Sequence, residues 1–124
     1  MRLLLDTNAF LWWLAEDALL EEARQAIARP TNAVFVSAVS FWEIAIKQAT
    51  GKLTVEADLI ESLRLSRFQP LDITAIHAVA AGNLPLHHRD PFDRMLVAQA
   101  VEEGLTIVTR DPVFKLYKAH VLSA

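Results

Sequence analysis

The chain has 124 residues, of which 53% are hydrophobic, and a formal net charge of −3. This length and composition suit one compact α/β domain, and the chain is too short for two domains. The absence of cysteine excludes disulfides, thiolate metal sites and cysteine nucleophiles, and the acidic balance gives no electrostatic support for nucleic-acid binding.

Short apolar runs alternate with amphipathic segments along the whole chain. In the first half, the pattern predicts a strand at 3–5, a helix from about residue 7, an amphipathic helix at 18–28, a strand at 33–36 and a helix at 40–49. In the second half, it predicts a helix at 59–65, a short strand within 68–73, helices at 75–81 and 91–103, a strand at 106–109, a short helix from residue 112 and an edge strand at 120–122. This alternation predicts a single α/β domain over residues 1–124, a three-layer α/β/α sandwich around a mostly parallel sheet.

The N-terminal segment is apolar, but Asp6, Thr7 and Asn8 interrupt it, which is not typical of a signal peptide. No segment approaches the roughly 20 uninterrupted apolar residues of a membrane span. We therefore expect a soluble, cytoplasmic protein without a membrane partner.

Two aspartates follow predicted strands at the same edge of the sheet. Asp6 comes directly after the first strand, and one residue separates Asp111 from the strand TIVT. Ligands of open parallel sheets bind at the carboxyl ends of the strands, so this edge is the candidate site. Each aspartate also suits the N-cap of the helix that follows it, and taken singly neither residue decides between the two interpretations.

Three further acids lie in helices that follow the sheet edge. Glu43 shares a helix face with Ser40 and lies four residues before Lys47, so an exposed Glu–Lys pair is the alternative to a site role. Asp90 and Asp93 are three residues apart at a helix start, where an N-cap and a favourable helix-dipole position explain them equally well.

Together these acids favour a divalent cation. Two carboxylates about 4 Å apart repel each other by about 4 kcal/mol at an effective dielectric constant near 20. Mg²⁺ or Mn²⁺ suits a site made of oxygen ligands and binds substrate phosphates. Such a site can activate water for attack on a phosphodiester.

Four segments resemble the PIN domains, in particular the VapC-like toxins of bacterial toxin–antitoxin pairs: LLLDTNAFLW, SAVSFWEIAIK, HHRDPFDRMLVAQA and GLTIVTRD. The resemblance spans essentially the whole chain. It implies a PIN-like fold and a metal-dependent endoribonuclease that cleaves RNA, often structured RNA such as tRNA, with one or two Mg²⁺ or Mn²⁺ ions per site. It also implies a homodimer and an antitoxin partner whose tail covers the site.

The family's four metal-binding and catalytic acids match Asp6, Glu43, Asp93 and Asp111. Asp93 is preferred to Asp90 because it stands eleven residues before Gly104, as the family's helix acid does before the following strand. The doubled acids of DPFD leave this choice open, and a place at the rim of the site as a fifth acid is the alternative for Asp90.

Other polar residues beside these acids are candidates for an outer shell or for substrate contact: Thr7, Asn8, Ser40, Asp90, Arg94 and Thr109. For the small residues, turn and cap hydrogen bonds are the alternative. For Arg94, the alternative to an RNA phosphate contact is internal charge balance. For His87 and His88, a solvated loop position is favoured over phosphate contact or proton transfer. For the three tryptophans, core or interface packing is favoured over base stacking.

Two other classes of protein fit parts of this pattern less well. A haloacid-dehalogenase-type phosphatase needs a second aspartate two residues after the first, and this position is Asn8. A catalytically silent binding or regulatory module would use the acidic pocket without chemistry, whereas four acids favour an enzyme.

Overall fold

The computed structural model describes all 124 residues, in five strands, six α-helices and one short 3-10 helix. The strands are β1 (Arg2–Leu5), β2 (Ala33–Ser37), β3 (Gln69–Leu71), β4 (Thr106–Thr109) and β5 (His120–Ser123). The helices are α1 (Thr7–Leu14), α2 (Glu21–Ala28), α3 (Ala38–Ala49), α4 (Leu59–Leu65), α5 (Ala75–Gly82) and α6 (Pro91–Glu103), and the 3-10 helix is Pro112–Leu116. None of the helices combines the length and apolar composition that crossing a bilayer requires.

The sheet has the strand order β3-β2-β1-β4-β5, and all four pairings are parallel. β1 is the central strand, with Leu5 paired to Val36 of β2 on one side and to Val108 of β4 on the other. From β1 the chain adds β2 and then β3 on one side, and it then crosses to the other side of β1 to add β4 and β5. The strand order therefore reverses between β1 and β4.

Helices cover both faces of the sheet, because β1 is apolar on both faces. Leu3 and Leu5 pack in one core with residues of α1, α2, α3 and α4. Leu4 packs in the opposite core with residues of α6 and with Phe114 of the 3-10 helix. The predicted α/β/α layering and parallel sheet are confirmed.

The largest departure from the predicted boundaries is at α2, which begins at Glu21 and not at residue 18. Glu16 and Ala18 have positive φ angles of 55° and 62°, so the chain turns before the helix starts. α3 begins at Ala38 because the Ser37 hydroxyl accepts the N–H of Val39 as its N-cap.

Candidate active site

The carboxyl ends of β1 and β4 meet at the reversal of strand order, where open α/β sheets form their ligand crevices. Asp6 follows β1, and Asp111 lies two residues beyond the end of β4. Glu43 reaches the same place from α3, and Asp93 does so from the first turn of α6. The structure therefore brings the four predicted acids together. Burial and the charges of Glu43 and Asp111 raise the pKa of Asp6, and the charges of Glu43 and Asp6 contribute to the raised pKa of Asp93.

Asp6 is buried and uses its two carboxylate oxygens differently. Oδ1 accepts the main-chain N–H of Ala9 at 2.8 Å as the N-cap of α1, and Oδ2 accepts the Thr109 hydroxyl at 2.5 Å. Burial raises the pKa of Asp6, and the bonds from Thr109 and Ala9 offset part of that increase. Thr109 thus donates a hydrogen bond directly to the Asp6 carboxylate.

Asp111 likewise uses one carboxylate oxygen as a helix cap and the other in the site. Its Oδ1 accepts the N–H of Val113 at 2.9 Å as the cap of the 3-10 helix, while Oδ2 lies 3.3 Å from Nε2 of His88. Its own N–H donates to the Thr109 hydroxyl at 3.1 Å, which links Asp111 to Asp6 through one side chain. For both aspartates, capping and a site role are compatible, because one carboxylate oxygen caps the helix and the other faces the site.

Glu43 is buried and both of its oxygens are bonded. Oε1 accepts the Thr7 hydroxyl at 2.6 Å, and Oε2 lies 2.6 Å from Nζ of Lys47. The Thr7 oxygen also lies 3.0 Å from the Ser40 hydroxyl oxygen. The predicted Glu–Lys pair therefore exists, but at the acidic cluster. The hydrogen bond that Lys47 donates to Glu43 raises the pKa of Lys47, and the charges of Asp90 and Asp93 add to this effect.

Asp90 and Asp93 are distinguished by their environment. Asp90 is the N-cap of α6, and its Oδ1 accepts the N–H groups of Phe92 and Asp93 at 2.8 and 3.2 Å. Burial raises the pKa of Asp93 to about 7, and the charge of Asp90 adds to this effect while His88 opposes it. Asp93 is thus the acid whose ionised form most needs a cation, and Asp90 lies beside it.

Oxygen and imidazole atoms of three residues lie within 4.8 Å of one another: His88, Asp93 and Asp111. Asp6 and Glu43 are more deeply buried than this trio, and each is held by hydrogen bonds. A crowded set of acids, one of them with a pKa raised to about 7, fits a divalent cation, because bound positive charge relieves both burial and repulsion. Mg²⁺ and Mn²⁺ suit the oxygen-rich donor set.

Two other predicted residues lie outside this cluster. Asn8 is exposed and lines a shallow cavity with Leu11 and Trp12. The guanidinium of Arg94 donates to the main-chain carbonyls of four residues in the segment before α6: Ala81, Leu84, Pro85 and His88. The visible role of Arg94 is therefore to hold that segment, and its contact with RNA stays a prediction.

Sequence reasoning missed His88 and undervalued Lys47. The prediction of a solvated loop at His88 differs from the structure, in which the imidazole is only 19% exposed and contacts two acids. The signal in the sequence was its position two residues before the Asp90 cap, which brings a loop side chain back over the start of α6. For Lys47, the signal was its place one turn after a buried glutamate.

The chain matches a family model, the PIN domain, over residues 3–119. It is 29% identical over 111 residues to ribonuclease VapC22 of Mycobacterium tuberculosis, covering 87% of this chain and 85% of that protein. Its fold is similar to chains in two DNA-bound complexes. For VapBC2 of Rickettsia felis, the TM-score is 0.74 and the identity 18%, with 100% of this chain and 99% of that chain covered. For VapBC of Salmonella typhimurium, the TM-score is 0.69 and the identity 18%, with 99% of this chain and 98% of that chain covered.

Proposed function

The chain belongs to the PIN-domain family, and on that premise we propose that it is a metal-dependent endoribonuclease, the toxin of a toxin–antitoxin pair. The observation that carries the proposal is the convergence of Asp6, Glu43, Asp93 and Asp111 at one edge of the sheet. The relative that is named a ribonuclease supports the RNA substrate.

The residues of this chain have distinct tasks in the proposed reaction. Asp6, Asp93 and Asp111 hold one or two Mg²⁺ or Mn²⁺ ions, and Thr109 orients Asp6 by its hydrogen bond. A bound divalent ion supplies positive charge that stabilises the phosphodiester transition state and makes water more acidic. Glu43, fixed by Thr7 and Lys47, accepts a proton from the attacking water or completes the ligand set.

The proposed partners follow from the relatives. The solved structures named above contain VapBC complexes, which supports an antitoxin for this chain as well. A toxin that cuts cellular RNA, including tRNA, acts in the cytoplasm. The proposed functional form is a homodimer. Ile76 and Val79 of α5 are 68% and 65% exposed, and they form an apolar surface of the kind that homodimers bury.

The decisive experiment compares purified wild type with Asp6→Asn for Mn²⁺-dependent cleavage of total cellular RNA. Asparagine caps helices as well as aspartate does, so α1 should keep its N-cap while the charge is lost. We expect cleavage to fall by at least about 100-fold, because even residues that only support ligands change activity by about 10- to 100-fold.

Asp58→Asn is the matched control, since Asp58 caps α4 through the N–H of Glu61 and does not belong to the acidic cluster. It should cleave RNA as wild type does. Full activity in Asp6→Asn, or no Mn²⁺-dependent cleavage by wild type, would contradict the proposed function. Growth after induction of each variant separates an enzyme from a silent binding module, because only an active toxin should stop growth.

A further inference from the structure

The hydrogen bonds of His88 determine which ring nitrogen carries the proton. The main-chain N–H of Asp90 donates to Nδ1 of His88 at 3.2 Å. A nitrogen that accepts a hydrogen bond carries no proton, so the neutral imidazole has its proton on Nε2. A protonated Nε2 has no free lone pair for a metal ion, and at this position His88 is a donor and not a ligand.

The Nε2 atom of His88 faces two acids of the cluster. It lies 2.8 Å from Oδ2 of Asp93 and 3.3 Å from Oδ2 of Asp111, and it is buried from solvent. Neither contact has the direction of a full hydrogen bond. The N–H therefore lies between the two carboxylates and attracts both, which holds their Oδ2 atoms at the same point of the site.

The position of His88 is fixed by the fold on several sides. Its main-chain N–H donates to the Tyr117 hydroxyl at 2.8 Å, and its carbonyl accepts from Arg94 at 3.2 Å. Its ring packs edge to face on Phe114, with the ring centres 6.1 Å apart. These anchors come from α6 and from the segment around the 3-10 helix, so the ring keeps its place between the two acids.

We propose that His88 is a positioning residue, whose Nε2–H orients Asp93 and Asp111 toward a shared divalent cation without binding that cation itself. The inference rests on the proposed function to the extent that these two acids bind the ion. Groups that hydrogen-bond to metal ligands are typically worth 10- to 100-fold in metal affinity.

The first test measures Mn²⁺ affinity by electron paramagnetic resonance in wild type, His88→Ala, His88→Gln and His87→Ala. We expect His88→Ala to weaken binding by about tenfold or more, and His88→Gln, whose amide N–H takes the place of the ring N–H, to stay within about threefold. His87→Ala is the matched control from the same loop, because that ring packs on Tyr117 and should not affect the ion.

A second measurement distinguishes an outer donor from a ligand. Electron spin echo envelope modulation of the Mn²⁺-loaded wild type should show no directly bound histidine nitrogen. A bound nitrogen would overturn the proposal, as would wild-type affinity in His88→Ala or equal losses in the alanine and glutamine variants. Thermal melting verifies that the variants fold, and the glutamine variant keeps the test decisive if alanine unfolds the loop.

The third measurement does not depend on metal binding. Nitrogen NMR of the metal-free protein at pH 8 should place the proton of the neutral His88 ring on Nε2, and a proton on Nδ1 would contradict the proposal. A failure of the proposed function has a different signature, namely wild-type protein that neither binds Mn²⁺ nor cleaves RNA.

Discussion

At the residue scale, Asp6 and Asp111 show how one carboxylate serves both folding and the site. Each gives Oδ1 to the first turn of the helix that follows and turns Oδ2 toward the crevice. The helix cap fixes the side chain in one orientation before any ion arrives. Rigid placement of this kind reduces the entropy that a ligand set would otherwise lose on binding a cation.

Asp93 makes the opposite contribution, because burial and the charge of Asp90 outweigh the compensation that His88 gives to its carboxylate. Its pKa is raised from 3.8 to about 7. Between about pH 4 and pH 7, the folded state therefore holds a proton that the unfolded state releases, so this group makes the metal-free protein less stable as pH rises through that window. The ionised Asp93 carboxylate therefore destabilises the folded state until a cation binds.

We therefore predict that Asp93→Asn is more stable than wild type at pH 8 in EDTA, and that the difference shrinks at pH 5.5. Urea unfolding of both proteins at the two pH values measures this difference. With Mn²⁺ present the order should reverse, because the ion binds and stabilises only the wild type strongly. A wild-type protein that is more stable than Asp93→Asn at pH 8 in EDTA would contradict the prediction.

At the element scale, Arg94 and Tyr117 hold the segment between α5 and α6, and Arg94 makes most of these hydrogen bonds. Arg94 lies in the first turn of α6 and donates to four carbonyls of residues 81–88. A planar guanidinium with several fixed donors can bridge such a set, whereas an ammonium group binds as a single compact charge. The loop that carries His88 therefore depends on Arg94.

We predict that Arg94→Lys destabilises the protein by about 2–4 kcal/mol, since hydrogen bonds from charged donors are worth about 1.5–3 kcal/mol each and are not additive. Chemical unfolding gives the free energy, and Mn²⁺ affinity should fall in parallel because His88 loses its anchor. Arg89→Lys is the control, since Arg89 is exposed in the same loop. Equal stability of the two variants would show that the carbonyl contacts contribute little.

At the scale of the whole molecule, the strand order decides where the site lies. The reversal between β1 and β4 opens a crevice, and α3 and α6, which pack against each other, carry Glu43 and Asp93 to it. The net charge of −3 is compatible with the proposed RNA cleavage if part of the acidity is neutralised at the acidic cluster by the cations that we propose bind there. The remaining surface still has to accommodate partners.

The proposed homodimer can be tested on its own. We predict that Ile76→Lys with Val79→Lys converts the protein to monomers, because two buried charges at an apolar interface are costly. Light scattering coupled to size-exclusion chromatography measures the mass. Ile60→Lys on α4 is the matched control, since Ile60 is 66% exposed. A dimer that persists in the double variant would place the interface elsewhere.

The sequence alone determined the succession of strands and helices, because apolar periodicity, Pro91 and Gly104 act on neighbouring residues. It also indicated the acids and the edge where they lie, since parallel strands put Asp6 and Asp111 at one end of the sheet. The four acids were assigned by resemblance to a family, and the structure places them together.

Only the tertiary structure decided how those acids are held. The pairing of Thr109 with Asp6, of His88 with Asp93 and Asp111, and the span of Arg94 across a loop depend on side-chain directions and on the packing of distant segments. Local sequence patterns cannot specify such contacts, because each partner by itself has an adequate role in its own helix or turn. The carboxylate cluster was thus predictable as a location, and its supporting hydrogen bonds were not.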